Sequence, residues 1–230
     1  MFRAYFDMAT AEISEFSEVY SAYAAGCLDP GFALMVETQA VLRPEVQRAL
    51  IKAEAIAGIM LEKEVEKPLS DSVFVATMSL IDAEESNPSQ LQTAVRTASA
   101  ELDEILLLPS PLRETVLETA LQNDWQTLTP GVRRMKLSVD SEAEVELYRI
   151  APLSTVPRHT HSGSEFTLVV AGGFHDETGQ YGPGDLCLKG PENTHQPTAD
   201  AEGVCYALSL REGGLRFTGM MGLLQRVLGQ

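Results

Sequence analysis

Histidine is missing from the first 158 residues of this 230-residue chain, and basic charge is scarce throughout. Seventeen Lys and Arg stand against 33 Asp and Glu, a formal charge of −16. Neutralising phosphates takes a basic footprint, so no direct nucleic-acid partner is expected, and an anionic membrane surface would repel the chain. Long apolar runs are missing too. Ile56–Leu61 and Phe166–Gly173 fall well short of the roughly 18–20 residues of a membrane helix, so no membrane span is expected. The three cysteines, Cys27, Cys187 and Cys205, form no CxxC pair. That spacing fits a reducing compartment with no disulfide framework. Asp7 and Glu12 fall where a signal peptide would be apolar, which makes the cytoplasm the expected location. GxSxG, GxxxxGK[ST] and GxGxxG are also absent, and no catalytic residue is assigned.

What is present divides in two. Residues 12–84 carry helical periodicity. Ile13, Phe16, Val19, Tyr20 and Tyr23 mark one face of a first helix, which Gly26 is placed to stop. Asp29-Pro30 restarts the chain with a cap acceptor followed by proline at the first helical position. Arg43-Pro44 breaks that second helix. A third helix is expected from Glu45 to about Glu66, with Val46, Leu50, Ala53, Ala57 and Met60–Leu61 inward. Ser70-Asp71 opens a fourth, with Val73, Phe74, Thr77, Leu80 and Ile81 on its apolar face. Four short helices predict a small bundle over residues 1–85. Residues 86–110, from the SNPSQ end to LPSP, read as a linker with one weakly helical patch. Residues 218–229 predict a short terminal helix.

From Trp125 the period changes to alternation. VRRMKLSVD, EVELYRIAP, EFTLVVAGGF and DLCLKG are short strand-like runs separated by Gly/Pro turns, which predicts an all-β sandwich or barrel over residues 111–230. The fold class expected is therefore a two-domain α+β chain.

Within the β part lies His159-x-His161-x3-Glu165-x6-Gly172, followed thirty residues after Glu165 by His195. Residues i and i+2 of a strand share a face, so His159 and His161 can point together into a barrel. Glu165 returns a carboxylate after a Ser-Gly-Ser bend. A lone His-x-His pair is ordinarily two solvated side chains; the acid at the right offset and the third histidine favour a metal site. Three imidazoles and one carboxylate suit Zn, Fe, Mn, Ni or Cu. Four closed ligands make a tetrahedral zinc site, whereas five or six leave room for chemistry. Zinc is expected first, with Fe, Mn or Ni as alternatives. Cys187 and Cys205, in strand-like runs, read as small buried hydrophobes, His175 as a surface residue, and Tyr148 and Tyr206 as core or cavity residues.

H-x-H-x3-E-x6-G with PGD and a later Pro-x3-His resembles the two signature motifs of the cupin superfamily, double-stranded β-helix barrels that mostly bind metal. Tyr20–Leu28 (YSAYAAGCL), Glu165–Thr178 (EFTLVVAGGFHDET) and Tyr181–His195 narrow the resemblance to the ChrR-like anti-sigma factors, over about residues 12–220. The resemblance implies that the helical domain grips an extracytoplasmic-function sigma factor, and that the cupin domain senses a stress or small-molecule signal and governs release. A homodimer is left open. The competing reading is a cupin metalloenzyme of the dioxygenase or isomerase type, and a third is a degenerate scaffold without metal.

One departure stands out. Family members with zinc between the helices hold it with an upstream His and H-x3-C-x2-C. Here those positions read Gln39-x3-Arg43-x2-Val46, with Ser14 near the upstream site, so no zinc is expected in the N-terminal domain. Its fold must then rest on apolar packing, which Val46 can extend. Residues 1–85 hold fifteen acids and six bases, a balance of −9. A solvated surface accounts for that balance; so does a face complementary to a basic protein partner.

Overall fold

The long strands of the main sheet are buried on both faces, because the sheet is covered twice. The computed structural model describes residues 17–85, 102–212 and 215–217. Its helices are α1 (Ser17–Ala24), α2 (Pro30–Leu42), α3 (Pro44–Leu61), α4 (Asp71–Glu85), α5 (Leu102–Leu106) and α6 (Leu112–Thr119). The strands are β1 (Gln126–Thr129), β2 (Val132–Lys136), β3 (Glu144–Ile150), β4 (His159–His161), β5 (Glu165–Ala171), β6 (Phe174–His175), β7 (Gln180–Tyr181), β8 (Leu186–Lys189), β9 (Thr194–His195), β10 (Thr198–Ala199), β11 (Cys205–Arg211) and β12 (Leu215–Phe217). They form a six-stranded sheet, β1-β2-β3-β11-β5-β8, and two three-stranded sheets, β12-β4-β9 and β10-β6-β7, every pairing antiparallel. This is the α+β class with a cupin barrel that the motifs predict.

Alternation along the central strands sorts the core. Val145, Leu147, Phe166, Leu168, Val170, Tyr206, Leu208 and Leu210 face a layer of helices. Their neighbours Tyr148, Ile150, Val169, Cys205 and Ala207 face the barrel interior with Phe174, Tyr181 and Cys187. All seven residues of β11 are consequently buried. Burial pushes the Cys187 and Cys205 thiols up to about 12, so neither supplies a reactive thiolate at neutral pH.

The end of α1 and the starts of α2 and α3 fall where the sequence places the signals. Gly26 adopts φ +67 after α1, a conformation that favours glycine. Asp29 Oδ1 accepts from Gly31 N at 2.9 Å and opens α2. Arg43 is extended (φ −127, ψ 103), as a residue before proline must be, and divides α2 from α3. Helix α2 is apolar nearly all round and is buried on two sides. Leu34 and Met35 enter the core beneath the sheet, while Val36 and Ala40 pack with Tyr20, Val46 and Leu50 of α1 and α3.

Three expectations need amending. Helix α3 ends at Leu61, five residues before Glu66, and Met60 and Leu61 are exposed, not inward. Val73, Phe74, Leu80 and Ile81 of α4 are exposed as well. Periodicity identifies an apolar face but not what covers it, and no described residue of this chain does. Residues 102–110, within the expected linker, are packed: Ile105 and Leu108 are buried, and Glu104 takes two hydrogen bonds from Arg149, at 2.8 and 2.9 Å, and one from Tyr206 Oη at 2.7 Å. Ser14, the first turn of the expected first helix and the expected terminal helix lie outside the described residues.

Candidate metal centre

Register brings the four residues together. His159 on β4 pairs with His195 on β9, and His161 lies two residues on, on the same face. Glu165 opens β5 opposite Arg211 on β11 and Lys189 on β8. All four side chains are buried, and their ligand atoms lie within 4.8 Å of one another. His195 Nε2 is 2.9 Å from His159 Nε2 and 3.1 Å from His161 Nε2, which is 3.3 Å from Glu165 Oε2.

Hydrogen bonding on the far side of the rings decides which nitrogens face inward. The Pro157 carbonyl can only accept, so His159 Nδ1, 2.7 Å away, carries the proton. Asp176 is an acceptor likewise, so His195 Nδ1 donates to its Oδ2 at 3.1 Å. Both Nε2 atoms then turn their metal-binding side to the centre. Burial, aided by the neighbouring His195, pushes His159 down to about 4 and His161 to about 3. Neutral imidazoles are what a metal requires. Ser209 Oγ donates to Glu165 Oε1 at 2.9 Å and leaves Oε2 toward the histidines. A tetrahedron with bonds of about 2.0–2.1 Å has edges of about 3.3–3.4 Å, close to these separations. Ring nitrogens turned on one another at such distances are relieved by a shared cation, so the donor set fits a divalent transition metal.

Sequence reasoning missed the surroundings. The Asp176 side chain is fully buried and also receives Lys189 Nζ at 2.8 Å and Thr178 N at 2.8 Å. Burial alone would raise its pKa, but the bonds from His195, Lys189 and Thr178 hold it far below the carboxylate range. A second buried network joins Arg211 to Glu146 Oε2, which also accepts from Tyr148 Oη at 3.0 Å, while Arg134 reaches Glu146 Oε1 at 3.1 Å. Tyr148 lines the cavity beside the donors; Tyr206 faces the helices instead. That cavity measures about 30 Å³, and Ile150, Val156 and Phe174 make up much of its wall. His175 is exposed and bonded to Asp200 at 3.0 Å. Gln39 and Arg43 reach the turn before β8, and Val46 is buried in the helical core.

Comparison with known proteins agrees with this geometry. Residues 113–212 match the family model of the ChrR cupin-like domain. The anti-sigma-E factor ChrR of Cereibacter sphaeroides is 31% identical over 201 residues, 87% of this chain and 90% of that protein. The chain belongs to the ChrR family. A chain in the crystal structure of Rhodobacter sphaeroides SigE in complex with the anti-sigma ChrR superposes with a TM-score of 0.63 at 28% identity, covering 85% of this chain and 96% of that one. An RmlC-like cupin protein from Ralstonia eutropha matches 47% of this ChrR-family chain and 82% of its own, at 18% identity and a TM-score of 0.38. Among the described residues no helix is long and apolar enough to cross a membrane.

Proposed function

We propose that this ChrR-family chain is an anti-sigma factor. Its helices hold an extracytoplasmic-function sigma factor, and its barrel carries a divalent metal, zinc first, at His159, His161, Glu165 and His195. The observation that carries the reading is the apolar surface of α3 and α4, uncovered among the described residues. Ile56, Ile59 and Leu61 on α3, and Phe74 and Leu80 on α4, are all more than half exposed. Apolar surface of that extent on a water-soluble protein marks a protein interface. The −9 balance of residues 1–85 suits a partner with basic nucleic-acid-binding faces, and a relative was crystallised with its sigma factor. Such a partner works with RNA polymerase, which supports a cytoplasmic location.

When bound, the metal supplies a cross-link between β4, β5 and β9. The chain's own residues fix it there: Asp176 orients His195, the Pro157 carbonyl orients His159, and Ser209 orients Glu165. The cavity of about 30 Å³ beside the donors has room for about two waters, and the likeness to ChrR supports the regulator reading over the cupin-enzyme one. The test is gel filtration of the purified full chain with the extracytoplasmic-function sigma factors of its own genome. Co-elution of one as a stoichiometric complex is expected. Failure of all to bind would remove the anti-sigma reading.

A further inference from the structure

Helix α2 sits between the barrel and α3, which bears part of the apolar surface, and it is pinned to the barrel at three places. At its start, Asp29 caps the helix and also takes Ser141 Oγ at 2.6 Å and Glu142 N at 3.0 Å, from the turn between β2 and β3. In its first turn, Phe32 packs edge-on against Phe166, centroids 5.0 Å apart, one residue from Glu165. At its end, Gln39 Nε2 donates to the Gly184 carbonyl at 3.0 Å, and the Arg43 guanidinium pairs with Asp185.

The last contact is built closely. Gly184 has φ +85, and a Cβ there would run into the Arg43 side chain, so Arg43 lies flat on the turn. The turn is itself fixed to the metal strand. Gly184 N donates to Val169 O at 2.8 Å, and Val169 N to Asp185 O at 3.0 Å, four residues along β5 from Glu165. From Asp185 the chain runs into β8, whose last residue, Lys189, binds Asp176, which in turn holds His195. Arg43 is also the residue from which α3 departs.

We propose that the Arg43–Asp185 and Gln39–Gly184 contacts form a latch that couples order at the metal centre to order in α3. With the centre filled, β5 and β8 hold the 182–185 turn, the turn holds Arg43, and α3 keeps one pose against α1 and α2. With the centre emptied, the turn loosens and α3 is released at its first residue. The inference rests on the metal reading above. It bears on sigma-factor binding only through the surface that α3 carries, so its test needs no partner.

Hydrogen exchange followed by mass spectrometry on the full chain decides it, with zinc added and with zinc stripped by a chelator. In the native chain, stripping should raise exchange in peptides from residues 44–61 and 182–189 about fivefold or more, the low end of ordinary coupling between sites. Arg43→Gln and Asp185→Asn, with zinc retained, should raise exchange in the same two regions while leaving β11 protected, and stripping should then add little in 44–61. Protection of β11 separates loss of the latch from loss of the fold. Three results would overturn the proposal: exchange in 44–61 that ignores zinc in the native chain, a zinc response in 44–61 that survives both substitutions, or exchange in 182–189 that ignores Arg43→Gln. Failure of the chain to take up zinc at all would show in its metal content, and would bring down the metal reading and the coupling together.

Discussion

Asp176 Oδ2 stands 3.1 Å from His195 Nδ1 and 2.8 Å from Lys189 Nζ, with the carboxylate sealed from solvent. One acid thus sets the tautomer of a candidate metal-donor histidine and balances the charge of a buried ammonium. Two separable effects follow. Asp176→Asn should weaken zinc binding about 10–100-fold, the usual cost of losing a partner behind a metal-bound histidine. It should also destabilise the metal-free chain, by about 3–5 kcal/mol, because Lys189 is left buried without its counter-ion. Adding Lys189→Met should recover much of the stability and little of the affinity. Chelator competition reads the first effect and denaturant unfolding the second. Recovery of both together would deny Asp176 its role at His195.

The purified chain is expected to hold close to one equivalent of zinc. His161→Ala and His195→Ala should each fall below about a tenth of an equivalent under the same chelator wash, since each removes one of four ligands. Cobalt substituted for zinc should give the intense visible absorption of a tetrahedral site. Stripping the metal should lower Tm, with about 2.7 kcal/mol at stake when free zinc is a hundred times its Kd. Elemental analysis that finds no metal in freshly purified protein would support the degenerate-scaffold reading.

The grouping of the candidate metal donors was legible because the spacing of a strand is rigid: His159 and His161 share a face wherever that strand lies, and Glu165 and His195 are the neighbours a barrel of this kind brings back. Asp176 and Lys189 were not, since nothing local marks a turn acid and a strand lysine as partners thirteen residues apart. The caps of α2 and α3 could be read from Asp29-Pro30 and Arg43-Pro44. The burial of α2 on two sides could be suspected from its continuous apolar run, but which side meets the barrel depends on long-range packing. The exposed faces of α3 and α4 look in sequence like any amphipathic helix. Only the coordinates show that they lack a cover among the described residues.

Glu104 gives the segment entering the barrel a dependence on pH. The hydrogen bonds from Arg149 hold its carboxyl below the ordinary value of 4.5, against a burial effect in the other direction, and the Tyr206 hydroxyl adds to them. A depressed acid binds fewer protons in the clamped state than when released. The clamp is therefore at full strength above pH 4.5 and is lost as the pH falls below it. Trp125, the only tryptophan, lies edge-on to Tyr206 at 6.5 Å and beneath Arg133 at 5.8 Å. Its emission should shift on acidification below pH 4.5. In Glu104→Gln the emission should begin near its acid end-point and shift less. Identical acid titrations of the two proteins would dissociate Glu104 from the clamp.

The apolar surface separates binding from folding. Phe74 is 67% exposed and Leu61 74%, so neither contributes much to the fold of the isolated chain. Phe74→Asp and Leu61→Asp should each change unfolding free energy by no more than about 0.5 kcal/mol. At an interface the same substitutions put a charge where an aromatic or aliphatic anchor was buried, at a cost of about 2 kcal/mol or more, close to a thirtyfold loss of affinity. Titration calorimetry with the sigma factor, set beside thermal melts of the free variants, measures both. Val46→Asp is the opposite case. It charges the buried core shared with Tyr20 and Leu50, and should unfold the helices whether or not a partner is present. A Phe74 variant that binds as tightly as the native chain would move the docking surface away from α4.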